Sequence, residues 1–370
     1  MPQRLALPSP LTLTTGGNSR VVISSTGAVT IEDDDLEVQG ITVGRGAGDV
    51  ATNTVVGNNA LDANTTGNNN TAIGDEALSA CTEGFRNTAV GASTLVSLTT
   101  GDNNVAVGAD ALEATTTGND NVAVGFDALT ANTTGSHNTA VGDSALETST
   151  ADNNTAVGAD ALKANTTGTR NVAVGSEALD ASTTADDCTA VGYQALTNNT
   201  TADDNTAVGR QSLFSNTTGA SNTAAGKDAL RQNTTASHNT SVGFQGLYSN
   251  TTGTTNTALG SNALFANTTG SSNVAVGSYA LDANTTGGNN TAIGRSALTN
   301  NTDGGSNVAV GRVALNALTS GSQNVAVGSE ALEKFTTGNS NTAIGYQALE
   351  ETTTGTKNVA VGANALDANT

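Results

Sequence analysis

Four aspartates are the residues of this sequence whose type and spacing come closest to a chemical site. Asp186 and Asp187 recur 17 residues later as Asp203 and Asp204. If segments 17 residues apart lie on top of one another, the four carboxylates occupy two neighbouring layers. Carboxylate oxygens suit a hard cation such as Ca²⁺, so the spacing predicts a calcium-binding ladder. A solvated acidic surface that is screened by salt is the alternative interpretation.

Other reactive side chains are too isolated to form a catalytic site. His137 and His238 occupy the same position of a repeat, six repeats apart, and at about 4.8 Å per stacked layer they are roughly 29 Å from each other. They therefore share neither a metal ion nor a proton. Serine and threonine are abundant, but the sequence places no base beside one, and it offers no paired-carboxylate cleft for glycoside hydrolysis. We expect a protein that is not an enzyme and has no cofactor, apart from the calcium ladder.

The spacing of these residues comes from an internal repeat, typified by Asn290–Leu298 (NTAIGRSAL). We number each repeat from its glycine, which is position 0. That glycine recurs 19 times, every 17 residues, with one single-residue deletion in the loop Glu147–Asn153. The copies begin with Gly57, Gly74, Gly91, Gly108, Gly125 and Gly142, continue at Gly158 and Gly175, and end with Gly345 and a truncated copy at Gly362. A period this strict is typical of a solenoid.

The repeat has the residue pattern of short β-strands. Position −4 is Asn in 18 of 19 copies, position −2 is nearly always Ala, position −1 is aliphatic, and position +4 is always Leu. A polar Asn-Thr-Thr-Gly turn interrupts each unit, so no helical stripe of apolar residues can continue through it. We therefore predict an all-β fold, a parallel β-solenoid or β-roll of 17-residue coils, with the Asn at position −4 forming a hydrogen-bonded ladder.

Alternation along the Thr-Ala-Val run assigns its side chains to two faces. We expect Val at −1 and Leu at +4 to lie inside the coil, and Ala at −2 to form a flat outer face. One buried Val and Leu contribute roughly 3–6 kcal/mol per coil, whereas ordering 17 residues of backbone costs on the order of 17–34 kcal/mol. Because a lone thin coil is weakly supported, we expect chains to contact one another through the Ala face, as a parallel homotrimer.

Residues 1–50 differ from the repeat region, residues 51–370, and form a separate β-rich segment in this prediction. Arg20–Val38 reads as two strands around a Ser-Thr-Gly turn. The segment is expected either to cap the first coil or to attach the protein to a larger body. The N-terminus lacks the continuous apolar core of a secretory signal, and no stretch approaches the roughly 18 apolar residues of a membrane span.

The composition narrows the range of partners. The formal net charge is −20, with 33 acidic and 13 basic residues, which disfavours nucleic acid and anionic membranes as partners. Only four cations are lysines, as expected for either a salty environment or a soluble repetitive particle. Cys81 and Cys188 lie at different positions of distant repeats, so we expect no intrachain disulfide.

Two further features have competing interpretations. Nine Asn-Thr-Thr triplets match the acceptor for N-glycosylation, but the triplet also suits the turn itself, and we favour turn chemistry. Sparse aromatic residues at positions +1 and +5 are suited to contact glycans, although filling gaps on the surface is the simpler interpretation. The triplets begin at Asn64, Asn132, Asn165, Asn199, Asn216, Asn233, Asn250, Asn267 and Asn284.

The Asn-Thr/Val-Ala-Val/Ile-Gly motif, as in Asn104–Gly108 and Asn290–Gly294, is similar to the repeats in the head domains of trimeric autotransporter adhesins. Those heads are trimers of left-handed parallel β-rolls. The longer unit Asn341–Leu366 resembles the repeats of phage and environmental-virus tail-fibre proteins still more closely. The resemblance covers about 310 residues and implies a trimeric, fibrous surface protein. The Asn-Thr-Thr-Gly loop is extra relative to the adhesin repeat, and no coiled-coil stalk or membrane barrel is recognisable.

The resemblance implies a structural virion fibre or spike, a rigid projecting rod for host attachment. Its expected partners are copies of itself, other virion proteins through the N-terminal segment, and a host glycan or receptor, with no nucleic acid and no insertion into a membrane. The expected location is the virion or the extracellular space. The alternative is a cell-surface adhesin or self-assembling extracellular filament that binds cells or glycans through its own turns.

Overall fold

A computed structural model of the chain describes residues 41–367 and, before them, the backbone of four short N-terminal strands. The chain forms two compact units, Met1–Ser144 and Ala145–Thr370. The predicted N-terminal segment, residues 1–50, therefore lies in the first unit together with six of the coils. Nearly all of the regular structure is β, with a single 3₁₀ turn at Ala47–Asp49 among the described residues.

The described residues of the N-terminal part of the first unit form five strands before the first repeat. Strand β2 pairs antiparallel with both β1 and β3, which agrees with the predicted hairpin, although the predicted Ser-Thr-Gly turn lies outside the described residues. Strand β5 pairs antiparallel with β4 on one side and with the first repeat strand, β6, on the other. The edge of β6 is thereby covered, which removes an unpaired row of backbone groups. The bounds are β1 Leu11–Thr14, β2 Arg20–Ile23, β3 Val29–Glu32, β4 Leu36–Val38, β5 Ile41–Gly44 and β6 Thr54–Gly57.

Every repeat contributes one short strand at positions −3 to −1, and neighbouring strands pair parallel and in register within each unit. Equivalent residues of successive coils thus lie side by side, as the solenoid prediction requires. The first unit continues with β7 Thr71–Ile73, β8 Thr88–Val90, β9 Val105–Val107, β10 Val122–Val124 and β11 Thr139–Val141. The second unit contains β12 Thr155–Val157, β13 Val172–Val174, β14 Thr189–Val191, β15 Thr206–Val208, β16 Thr223–Ala225, β17 Thr240–Val242, β18 Thr257–Leu259, β19 Val274–Val276, β20 Thr291–Ile293, β21 Val308–Val310, β22 Val325–Val327, β23 Thr342–Ile344 and β24 Val359–Val361. The parallel β-solenoid prediction is confirmed.

The predicted orientation of the strand was half wrong. Leu at +4 is buried, as expected, but Ala at −2 is buried as well, and Val at −1 faces outward. In one coil, Leu298 and Ala292 are fully buried, whereas Ile293 is 41% exposed. The coil is narrow, and Leu, two Ala and two Asn side chains fill it, so the strand can turn only a methyl group inward. Contact between chains through an Ala face is therefore excluded.

The glycine corner follows from the close approach of successive coils. Gly277 has φ +127°, and a Cβ there would lie 2.7 Å from the carbonyl carbon and oxygen of Gly294 in the next coil. Glycine is required for both reasons, because L-residues rarely adopt this φ and the space is occupied. Each coil also places non-glycine residues, including its buried Leu, at positive φ, as at Leu281 (φ 51°).

Two asparagine ladders satisfy buried polar groups inside the coils. At position −4, Asn273 Nδ2 donates to the carbonyl of Gly287 at 2.8 Å, and its Oδ1 accepts from the backbone N–H of Asn290 at 3.0 Å. The second ladder, at position +7, was not predicted. There, Asn250 Nδ2 donates to Asn233 Oδ1 at 2.9 Å. Both ladders pair groups that would otherwise be buried without a hydrogen bond.

Candidate functional site

The four aspartates of the predicted calcium ladder lie on adjoining coils of the second unit, and hydrogen bonds within the protein engage them. Asp187 forms a bidentate pair with Arg170, at 2.7 and 2.8 Å, and this pair lowers the pKa of the Asp187 carboxyl. Asp203 Oδ1 accepts from the backbone N–H of Asp186 at 2.8 Å, and Asp186 Oδ1 accepts from Thr169 N–H at 2.6 Å. The backbone N–H of Asp204 donates to the carbonyl of Asp186 at 3.2 Å.

Asp186 and Asp203 have a structural role that does not need a cation. Both occupy position +11, where the side chain of one coil accepts a hydrogen bond from the backbone N–H of the preceding coil. Asn119 and Ser237 do the same elsewhere, accepting from Asp102 and Ala220. Acidic, amide and hydroxyl side chains are thus interchangeable at this position, because each supplies an acceptor.

Within residues 41–367, no group of three or more His, Cys, Asp or Glu side chains is arranged so as to hold a metal ion. The calcium ladder therefore stays a prediction from the sequence. The prediction is tested by measuring the Tm of thermal unfolding with and without calcium. A rise in Tm that Asp203→Asn abolishes supports the ladder, and an unchanged Tm contradicts it.

The histidines are surface residues in separate units. His137 belongs to the first unit, where its Nε2 lies 3.6 Å from Asp120 Oδ2 on the preceding coil and its side chain is 63% exposed. The backbone N–H of His238 donates to the carbonyl of Ala220, in the second unit. Each is thus a turn residue, as the repeat predicted.

The asparagines of the Asn-Thr-Thr triplets belong to the interior of the coil. Eight of the nine are fully buried and Asn64 is 3% exposed. Asn250, for example, uses both amide hydrogens, in bonds to Asn233 and to the carbonyl of Gly253. A glycan on that nitrogen would have to displace the core of the coil, so the triplets serve the turn in the folded chain, in agreement with the favoured interpretation.

Both cysteines are free and buried, and each replaces an asparagine of a ladder. Cys81 occupies position +7 and donates to the carbonyl of Gly84 at 3.7 Å, and Cys188 occupies position −4 and donates to the carbonyl of Ala202 at 3.2 Å. Burial raises the pKa of Cys81 to about 11 and that of Cys188 to about 12. Because the thiolate is the reactive form, these thiols are inert at neutral pH.

The outer face of the parallel sheet is the largest feature that the sequence interpretation missed. We call it the sheet face, formed by positions −3 and −1 of successive coils. Position −3 is Thr or Val, and position −1 is aliphatic in all 19 repeats. In the second unit several of these side chains are about 40% exposed, among them Val208 at 42%, Leu259 at 43% and Ile344 at 41%. The signal in the sequence was that position −1, although it is open to water, never carries a polar residue.

A second surface feature combines aromatic rings with cations. At position +5 of four successive coils lie Phe214, Arg231, Tyr248 and Phe265. The rings of Tyr248 and Phe265 are stacked, with centroids 5.2 Å apart, and the guanidinium of Arg231 lies 5.4 Å from the Phe214 ring and 5.8 Å from the Tyr248 ring. The sequence interpretation found the rings but not the arginine between them.

A further depression, on the second unit, is polar and shallow. It has a volume of about 400 Å³ and is lined by turn residues that include Asp303, Ser320, Thr337 and Asn339. It contains a single acid and no base, so nothing in its lining supports acid–base chemistry. Among the described residues, no helix has the length and apolar character needed to cross a membrane.

Comparisons with known proteins did not identify a family for this chain. The chain matched no protein-family model, no curated protein and no solved structure.

Proposed function

We propose that this protein is a structural, non-enzymatic fibre protein whose chains associate side by side through the sheet face. The observation that carries the proposal is the sheet face itself, because an aliphatic side chain stands at position −1 of every repeat although that position is exposed or half-buried, never fully buried, in the single chain. Exposed apolar ladders of this kind are typical of surfaces that are covered by a partner.

The size of the sheet face is sufficient for a specific interface. The 13 coils of the second unit extend for about 60 Å at about 4.8 Å per coil, and the strand is about 10 Å wide. The sheet face of this unit therefore offers roughly 600 Å² per chain, or about 1,200 Å² for a pair, which reaches the range of stable interfaces. Edge-to-edge addition of strands is not required, since the contact uses side chains.

The resemblance to adhesin heads and tail fibres implies that three parallel chains associate as a homotrimer. Identical chains in register bring equal residues to the same height, so Val meets Val and Thr meets Thr along the contact. In this proposal the assembled coils form the projecting part of a virion, the N-terminal segment joins other virion proteins, and the fibre serves attachment to a host surface.

The test of the assembly is the native mass of the purified chain. We expect a trimer, and we expect Val242→Lys with Ile293→Lys to yield folded monomers, because two rows of lysines would be buried in the contact. Thr235→Lys with Thr286→Lys is the matched control, since it adds the same two charges on exposed turns of the same unit. A monomeric parent chain, or equal dissociation by the control, contradicts the proposed interface.

The test of the location is the composition of purified virus particles, by mass spectrometry and immunogold labelling. Detection of the protein on projecting fibres supports the virion role. Detection on the surface of cells, without particles, supports the alternative of an adhesin or extracellular filament.

A further inference from the structure

We propose that the second unit carries a binding site for an acidic glycan, formed by aromatic and cationic side chains at positions +1 and +5 of adjoining coils, with an aspartate at position +2 that holds the cations. We call it the aromatic–cation patch, and it consists of Phe214, Lys227, Asp228, Arg231, Phe244 and Tyr248. The site goes beyond the proposed fibre role and uses positions other than −3 and −1, which form the sheet face.

The first observation is the local reversal of charge. Residues 205–281 contain three cations, Arg210, Lys227 and Arg231, and one acid, Asp228, which gives a net charge of +2. The whole chain carries −20, so the other residues together carry −22. A short positive region in so acidic a chain attracts anions locally, because charges further away than about 8–10 Å are screened at physiological salt.

The second observation is how the two central cations are held. Asp228, whose side chain is only 10% exposed, lies 3.8 Å from Lys227 Nζ and 3.6 Å from Arg231 Nε. Lys227 also lies 5.6 Å from the centre of the Phe244 ring, and Arg231 donates to the Tyr248 hydroxyl at 2.9 Å. The Asp228 carboxylate and the rings thus hold both cations in position. Two cations and one carboxylate leave one net positive charge, which is available to a ligand.

The third observation is the orientation of the rings. Tyr248 and Phe265 stack face to face, with an angle of 18° between their planes, so it is their edges that point away from the stack. The stack with Phe265 holds the Tyr248 ring in place, and the Tyr248 hydroxyl at the ring edge accepts from Arg231, so the stack also helps to position this cation. Phe244 is 45% exposed and supplies the apolar surface that the C–H face of a sugar needs.

These properties favour a glycan with spaced carboxylates over a nucleic acid. A nucleic-acid backbone has a dense row of phosphates, and its affinity depends on many cation contacts, whereas the aromatic–cation patch has two cations and lies in an acidic chain. A glycan segment with carboxylates on some of its sugars matches both the few charges and the apolar ring surface.

The experiment measures binding of short oligogalacturonates to the full chain by calorimetry, with neutral malto-oligosaccharides and oligothymidylate of the same length as comparison probes. We expect the oligogalacturonate to bind, and the neutral sugar to bind weakly or not at all. Lys227→Gln should weaken binding by up to about fivefold, the upper range for an exposed ion pair. Phe244→Ala should weaken it as well.

The matched controls occupy the same position of the repeat elsewhere. Arg312→Gln removes an equally exposed cation at position +1, which pairs with Glu330, and Phe126→Ala removes a 54% exposed ring at position +1. Both should leave binding unchanged, and the native mass of each variant shows whether assembly is intact. Tighter binding of oligothymidylate, absence of glycan binding, or equal losses in the controls overturns the site, whatever the oligomeric state.

Discussion

At the scale of single residues, unusual backbone conformations recur in every coil. Positions +2, +4 and +12 have positive φ, as at Val313 (φ 51°), Leu281 (φ 51°) and His238 (φ 61°). The left-handed region costs roughly 1–2 kcal/mol for most L-residues. Leu at +4 tolerates it because its side chain is fully buried. Val313, at +2, is only half-buried and lacks that compensation, so asparagine suits its position better than a β-branched residue.

The first prediction concerns Val313, a β-branched residue in this left-handed conformation. Val313→Asn should stabilise its coil by about 1 kcal/mol, since asparagine adopts positive φ most readily among non-glycine residues and is already present at the equivalent Asn262 (φ 56°). Val313→Ala is the control for loss of the side chain alone and should gain less. Native-state hydrogen exchange of neighbouring amides measures the change. A destabilised asparagine variant contradicts the explanation.

The second prediction concerns Asp282, whose Oδ1 is buried without a hydrogen-bond partner. Burial raises the pKa of this carboxyl above its ordinary value of 3.8. The folded state therefore favours the protonated acid, and the stability that this contributes is present below pH 3.8 and is lost as the pH rises through the folded pKa.

Asp282→Asn should accordingly raise the Tm at pH 7, and the difference from the parent should shrink as the pH falls through the raised folded pKa and be smallest below about pH 3.8. An asparagine at this position can donate to the preceding coil, as Asn316 does to the carbonyl of Ser296 at 3.1 Å. Asp303→Asn, on an exposed turn of the same unit, is the control for the change in net charge. An equal rise in Tm for the control would assign the effect to net charge.

At the scale of the coil, neighbouring side chains compensate for one another in volume. Most coils have Ala at both −2 and +3, but one coil has Ser241 and Gly246 at these positions. A Cβ on Gly246 would lie 2.5 Å from Ser241 Oγ. The larger residue at one position therefore requires the smaller one at the other. Ser241 Oγ is also buried without a hydrogen-bond partner, which makes this coil less favourable than its neighbours.

The third prediction is a double-mutant cycle in this coil. Gly246→Ala alone should destabilise the second unit by about 1–3 kcal/mol through overpacking, whereas Ser241→Ala together with Gly246→Ala should be at least as stable as the parent. The coupling between the two changes is expected to be about 0.5–3 kcal/mol, measured from the shift of the urea midpoint. Additive effects would show that the two side chains do not compete for the same space.

At the scale of the whole molecule, stability comes from contacts between neighbouring coils. In-register strands, the two asparagine ladders and the glycine corners all connect one coil with the next. In repeat proteins of this type the stability is a sum over coils and their interfaces. A whole coil should therefore be removable without loss of the fold, provided that the remaining repeats stay in phase.

The fourth prediction tests this modularity. Removal of Ser278–Gly294, one full period, should leave a folded second unit with an unchanged β-type circular-dichroism spectrum, because Gly277 is then followed by Arg295 in phase. Removal of about half a period, Ser278–Thr285, should disrupt folding, because it places polar turn residues at positions of the interior. Equal tolerance of both deletions would contradict a strict in-register stack.

The sequence by itself determined the period, the all-β class, the parallel in-register stacking, the buried Leu and the Asn ladder at position −4. Each depends only on residues that recur at fixed spacing, and stacking brings recurring residues together whatever the shape of the coil. The repeat also assigned the aromatic residues of the second unit to positions +1 and +5, and therefore to neighbouring places on successive coils.

The tertiary structure alone decided which side of the strand faces inward. Alternation gives two faces but does not say which one is inside, and the residues at −2 and −1 are both apolar. The narrow coil has room only for the smaller side chain, so Ala292 is buried and Ile293 is exposed. It also decided that Leu281 adopts a left-handed backbone and that Arg231 and Asp228 meet across position +5 and position +2. These outcomes depend on the width of the coil and on the backbone conformation of its turns, which a linear pattern does not contain.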